Sequence, residues 1–327
     1  MRCRTVCLAL VVAAAAALVH LAFRASQRVQ DGQYEPLPSA DELASGVGAR
    51  LFRARPSDGG SLEYFEFGST SANARVWVFV HGALSTGGVL RIFPFFEAEM
   101  EALNVRVVAP TMPGWGTSDP YLPLFEVSGA RWLQQWAQDS MALLESLNVT
   151  EFAVSGMSLG GSPTLATAAA AQKQGKLLAL APVIALTWNA VDAGFDLAAH
   201  YSPGKRLGMA LLHNRYLGSL AAESVRTMIL ATDAAGFENT PMLPNDINWD
   251  RGSWGLDMQR SVRYSLAGQV QSNRLPMSTG GPFVDWSVFN ASIPVYIFYG
   301  EQDDVVNPPV ATYVGKKLPW AELVPFQ

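Results

Sequence analysis

Gly156-Met157-Ser158-Leu159-Gly160 is the segment that most narrows what this chain can become. It lies between a short apolar run, Phe152-Ala153-Val154, and a run of small residues with helical character. A serine with glycine two positions before and two after it, set between strand and helix, reads as a nucleophile elbow. The turn is so sharp that the hydroxyl points out of the fold. It holds the serine backbone in a strained region and leaves no room for bulk at the flanking positions. Gly156 and Gly160 meet that need, and Gly161 extends it.

Around the elbow, short β-rich runs alternate with helical patterns. Strands are expected at Leu62–Phe67, Arg75–Val80, Val105–Ala109, Phe152–Val154, Leu177–Leu186 and Pro294–Tyr299, with the start of a last one at Ala321–Pro325. Helices are expected at Val89–Leu103, at Ala130–Leu147 with Trp132, Trp136, Leu143 and Leu147 on one stripe, and from Leu159 to about Ala171. Such alternation implies α/β architecture, a mostly parallel sheet covered on both faces, with its site beyond the carboxyl ends of the strands. Hydrophobic residues make up 49% of the 327 and charged ones 16%, enough for a large buried core.

One stretch breaks the rhythm. From about Thr187 to Trp286 there are helical patterns (Lys205–Arg215, Ser219–Ala235, Leu256–Gln271) and little strand signal. Because it interrupts the chain between two sheet strands, it reads as a cap inserted over the site. Its Trp188, Phe237, Met242, Trp249 and Trp254 are candidates for an acyl pocket, Trp188 first among them; packing of cap against body is the competing reading for each.

Four segments in chain order resemble the motifs of the α/β-hydrolase fold family, from about Leu62 onward. Strand Val76–Val80 runs into His81-Gly82-Ala83, similar to the family's oxyanion loop. Strand Val105–Ala109 runs into Met112-Pro113-Gly114-Trp115-Gly116-Thr117-Ser118, the elbow follows, and Val295–Tyr299 runs into Gly300-Glu301-Gln302-Asp303-Asp304-Val305-Val306, similar to the acid turn. The resemblance implies a serine hydrolase of esterase or lipase type that uses neither metal nor organic cofactor. Ser158 would be the nucleophile, the backbone N–H groups of Ala83 and Leu159 the oxyanion hole, and Asp303, in preference to Asp304, the carboxylate that orients a histidine base. His81 is expected to support its loop. A turn carboxylate capping the next helix is the plain alternative for the acid.

The base has no obvious bearer. The family places it on a loop after the eighth strand, whereas Leu318–Phe326 resembles only the approach to that loop. Four histidines are present: His20, His81, His200 and His213, the last two in the cap. The sequence therefore reads as C-terminally incomplete, with a truncated last strand and helix. Loss of the base alone costs about 10⁶ in kcat, so the chain as written is expected to be nearly inert. The alternative from another class is a non-catalytic α/β-hydrolase-fold protein serving binding or interaction.

Both cysteines, Cys3 and Cys7, are near the N-terminus, which leaves the body without disulfide, thiolate metal site or cysteine nucleophile. Residues 1–30 hold four arginines and no acid, leaving 19 basic against 28 acidic residues in the rest, a net −9. An acidic body without a basic stripe argues against nucleic-acid binding. Val6–Phe23 is apolar apart from His20 and flanked by arginines, so residues 1–23 are expected to be a cleaved signal peptide or a membrane anchor. Residues 24–46 read as a polar linker and 47–327 as the hydrolase domain, with a small-molecule or lipid-like ester as the partner and a membrane or secretory location.

Overall fold

The computed structural model describes residues 2–31, 34–192, 195–233, 236–237, 250–278, 283–303 and 305–326. Met242, Trp249 and Asp304 lie outside the described residues.

An eight-stranded sheet forms the body. Its strands are β1 (Ala49–Phe52), β2 (Leu62–Gly68), β3 (Arg75–Val80), β4 (Val105–Pro110), β5 (Phe152–Ser158), β6 (Leu177–Ala185), β7 (Tyr296–Gly300) and β8 (Glu322–Phe326). They are ordered β1-β2-β4-β3-β5-β6-β7-β8. β1 pairs antiparallel with β2, and β2 antiparallel with β4; every other pairing is parallel. The chain belongs to the mostly parallel α/β class expected from its alternating pattern. β1 carried no clear signal because it is only four residues long. Where the sequence suggested only the beginning of a last strand, Glu322–Phe326 pairs with β7 residue for residue, from Tyr296↔Glu322 to Gly300↔Phe326.

The central strands are apolar where helices cover them. Val78 and Val80 of β3, Val107 and Val108 of β4 and Val154 of β5 are all buried. Against one face lie α4 (Gly129–Ser146), started by the Ser128 hydroxyl accepting from Arg131 N, and α5 (Gly161–Lys173). The tryptophans read as the stripe of α4 dock them together: Trp136 Nε1 donates to Pro163 O at 3.1 Å and to Thr167 Oγ1 at 3.0 Å. The helix expected over Val89–Leu103 is divided into a 3-10 turn, Gly87–Ile92, and α3 (Phe96–Ala102), with Pro94 in the gap.

Between β6 and β7 the described residues are helical: α6 (Pro203–His213), α7 (Arg215–Ala231), α8 (Arg251–Arg263) and α9 (Ala267–Arg274). α6 begins with Ser202 as cap and Pro203 in its first turn, a start that needs no N–H from the proline. The single helix expected over Leu256–Gln271 is two, because the chain turns at Tyr264–Leu266. α8 is clamped to the body by charge: the Arg260 guanidinium pairs with Glu63, whose side chain is fully buried and also accepts from Thr111 Oγ1 and Thr117 Oγ1. On the same helix, Asp257 accepts from the backbone N–H and hydroxyl of Thr86, at the head of the 3-10 turn.

The N-terminal region differs from the expected tether. α1 runs Arg2–Asp31, and its Ala22, Ala25, Ser26 and Val29 are buried, packing the helix along α7. Tyr34 donates to Glu223 at 2.9 Å, and Arg28 lies 3.6 Å from the same carboxylate. α2 (Ala40–Val47) opens with a full capping box between Ser39 and Glu42. Polar composition between residues 24 and 46 thus reflects helix caps and one-sided burial. Among the described residues, no helix is long and apolar enough to cross a membrane.

Candidate active site

Ser158 closes β5 at a φ of +50°, a left-handed conformation that a residue with a side chain adopts only under constraint. The constraint comes from crowding. A Cβ at Gly156 would lie 2.1 Å from Thr164 Oγ1, and one at Gly160 would lie 2.5 Å from the His81 carbonyl oxygen and 2.7 Å from that of Val80. A side chain at Gly156 would strike α5 and the end of β3, and one at Gly160 would force the loop after β3 away from the elbow. Ser158 O accepts from Leu186 N at 2.7 Å, which fastens the turn to the end of β6. Beyond it α5 begins, presenting unpaired first-turn amides and a favourable dipole to an anion.

The loop after β3 comes close to the serine: a Cβ at Gly82 would lie 3.2 Å from Ser158 Cβ. His81, fully buried, holds that loop. Its Nε2 accepts from Met112 N at 2.8 Å, so Nδ1 carries the proton and donates to Gly82 O at 2.7 Å. Burial lowers its pKa to about 4. A neutral imidazole with both nitrogens committed is a strut, in keeping with the supporting part expected of it. Ser85 Oγ donates to Gly82 O at 3.1 Å, and Leu84 sits at a φ of +54°, so the segment carrying Ala83 is pinned in a strained shape.

Between body and cap lies a cavity of about 520 Å³ that brings Ser158, Ala83 and Leu159 together. Leu84, Leu186, Met209, Leu212, Val305 and Val306 supply most of its apolar wall, and Tyr201, Lys205, Gln269, Ser272 and Asn273 its polar wall. Asp303 lies on the turn that delivers Val305 and Val306. Its Oδ1 accepts from Val305 N at 2.8 Å and Val306 N at 2.9 Å, so the carboxylate is positioned by the turn it caps. The Tyr201 hydroxyl donates to Val305 O at 2.6 Å and ties this turn to the cap. Burial and the neighbouring Asp303 charge raise the Tyr201 phenol to about 12, which keeps it neutral.

Other candidates fall outside the cavity. Trp188, expected as its substrate-binding residue, is 1% exposed and packs 5.2 Å from the Trp132 ring in the core; the pocket assignment is corrected to a packing role. Phe237 and Trp254 pack on one another at 6.2 Å. His200 stacks on Phe195 at 5.3 Å, and His213 Nδ1 lies 3.2 Å from Arg274 O; neither lines the cavity. Among the described residues, no group of three or more His, Cys, Asp or Glu side chains is placed to hold a metal ion. The polar wall on α9 escaped sequence reading. Residues 269, 272 and 273 share a face by helical spacing, but nothing in the spacing says that this face looks inward.

The profile of the alpha/beta hydrolase family matches residues 77–325. Among curated protein sequences none matches. Solved structures with the same fold include a carboxylesterase from the ammonia-oxidizing thaumarchaeon Nitrososphaera gargenis, at 17% identity and a TM-score of 0.56, covering 85% of this chain and 89% of that one. A hydrolase from Pseudomonas aeruginosa is 19% identical with a TM-score of 0.53, covering 84% and 89%. The esterase RhEst1 from Rhodococcus sp. is 17% identical with a TM-score of 0.52, covering 82% and 86%.

Proposed function

The chain belongs to the alpha/beta hydrolase family, and from that premise we propose that it is a serine hydrolase acting on carboxylic esters or related acyl bonds. The observation that carries the reading is Ser158 at a positive φ, facing a cavity it shares with Ala83 and Leu159. Ser158 Oγ attacks the ester carbonyl carbon and its proton passes to a base. The Ala83 and Leu159 amides hold the oxyanion, and collapse of the tetrahedral intermediate expels the alcohol to leave an acyl-Ser158. Water then attacks the acyl carbon, releasing the acid and restoring the hydroxyl. Asp303, fixed by two backbone donors, is the carboxylate that orients a histidine base.

Of the described residues lining the cavity none is a histidine, and His81 is committed to its loop. That observation favours a second reading, in which the cavity binds an ester-like ligand without turning it over. Added imidazole, a base in trans, separates the two. We predict that a fluorophosphonate probe labels the protein, that imidazole accelerates labelling, and that Ser158→Ala abolishes it. Undiminished labelling of Ser158→Ala refutes the site, and absence of labelling with and without imidazole supports binding alone.

The N-terminal segment belongs to the same proposal as a secretory leader; a membrane-spanning anchor finds no support, since no described helix is long and apolar enough to cross a membrane. A leader cut near Ala13–Ala17 would leave Ala22, Ala25, Ser26 and Val29 in place against α7. N-terminal sequencing of protein secreted by a eukaryotic host decides between cleavage and retention.

A further inference from the structure

The cavity over Ser158 is divided by chemistry. One wall is apolar, whereas the wall on α9 offers the amides of Gln269 and Asn273 and the Ser272 hydroxyl. These three sit at positions i, i+3 and i+4 and so share one face of the helix. The Ser272 hydroxyl is already spent on Gln269 O at 2.8 Å. Gln269 is not satisfied: its Nε2 reaches Asn273 Oδ1 at 3.5 Å, a marginal contact, and its Oε1 is buried without any hydrogen-bond partner among the described residues. Turning the amide over exchanges one orphan atom for the other, since only one neighbour is in reach. A buried polar atom left unpaired is destabilising. A cavity serving plain alkyl esters has no use for it.

We propose that Gln269, with Asn273 beside it, is a specificity-determining residue that receives a hydroxyl group of the substrate, so that the preferred substrates are hydroxyl-bearing esters. The proposal rests on the cavity being the ester site. The terminal amide torsion of glutamine is soft, so a small rotation carries Oε1 to a ligand hydroxyl. Asn273 offers a second amide one turn along for the same group. The apolar wall of Leu186, Met209, Leu212 and Val306 takes the hydrocarbon part.

The test is binding to the Ser158→Ala protein, which cannot form the acyl-enzyme and so reports on the cavity whatever the fate of the serine reading. Three esters of equal heavy-atom count are compared by calorimetry: propyl butyrate, hydroxyethyl butyrate with its hydroxyl on the alcohol side, and propyl 3-hydroxypropionate with it on the acyl side. A merely apolar cavity favours propyl butyrate, because the hydroxyl must leave water unrewarded. The expectation is that at least one hydroxylated ester binds about three- to tenfold more tightly than propyl butyrate, the range one neutral hydrogen bond supplies. Gln269→Met, which keeps the volume and removes the amide, should erase that preference, so that neither hydroxylated ester binds more tightly than propyl butyrate. Preference for propyl butyrate in the parent, no binding of any of the three, or a hydroxyl preference that survives Gln269→Met overturns the proposal. A parent-like circular-dichroism spectrum and a cooperative urea transition show that the variant is folded. Fluorophosphonate labelling of the unmutated protein tests the serine reading separately.

Discussion

Asp257 offers a sharp test of how the cap is held on the body. Its carboxyl is on α8, buried, and accepts from the backbone N–H and hydroxyl of Thr86, five residues after His81. Two effects oppose each other there. Burial disfavours the carboxylate; the Thr86 donors and the Arg260 charge favour it, and burial wins, raising the pKa from 3.8 to about 7. A raised acid pKa means that between the two values the folded protein holds a proton the unfolded chain has released. Stability from this group is therefore full below pH ~4 and declines as pH rises towards about 7, by about 1.4 kcal/mol per pH unit and ~4 kcal/mol in all, as an upper limit. Asp257→Asn removes the titration and keeps the shape. Urea unfolding of parent and variant across that window should give a stability difference that shifts in the parent's favour by about 1.4 kcal/mol for each unit of acidification. A difference independent of pH would mean that Asp257 is ionised when folded, and that its Thr86 and Arg260 partners outweigh burial.

His81 should behave in the opposite sense. Its pKa is depressed to about 4 by burial, so its contribution is present above pH ~6.5 and lost as pH falls towards about 4, by about 3 kcal/mol in all. His81→Gln should cost about 1–3 kcal/mol at neutral pH through the orphaned Met112 N–H, and chemical denaturation should show that deficit shrinking in acid. Gly160→Ala places a methyl 2.5 Å from His81 O and 2.7 Å from Val80 O. Fluorophosphonate labelling of that variant is expected to fall at least tenfold as the loop bearing Ala83 is pushed from the elbow; an unchanged rate would refute the crowding argument.

Much of the body was legible because its requirements are local. The Ser158 turn needs glycine at 156 and 160, and the crowding around both explains why nothing larger fits. Strands β3 to β7 announced themselves as apolar runs because helices bury both faces of a parallel sheet. The helices flanking β4 and within the cap were read with displaced ends: Val89–Leu103 is interrupted near Pro94, and Leu256–Gln271 turns at Tyr264. Such breaks are set by packing as much as by propensity. Residues 24–46 misled for a related reason, since caps such as Ser39 with Glu42 look like linker composition until the helix is seen.

The sequence by itself therefore determined the sheet, the elbow and the order of the loops that meet it, since each follows from neighbours along the chain. Tertiary structure alone decided which side chains face the cavity. Trp188 turned into the Trp132 core, while Gln269, a residue of no evident distinction, came to face Ser158 across more than a hundred positions. It likewise decided that His81 is spent on Met112 and Gly82. An amphipathic pattern reveals that a helix has two faces; only the partners it packs against choose which one looks inward.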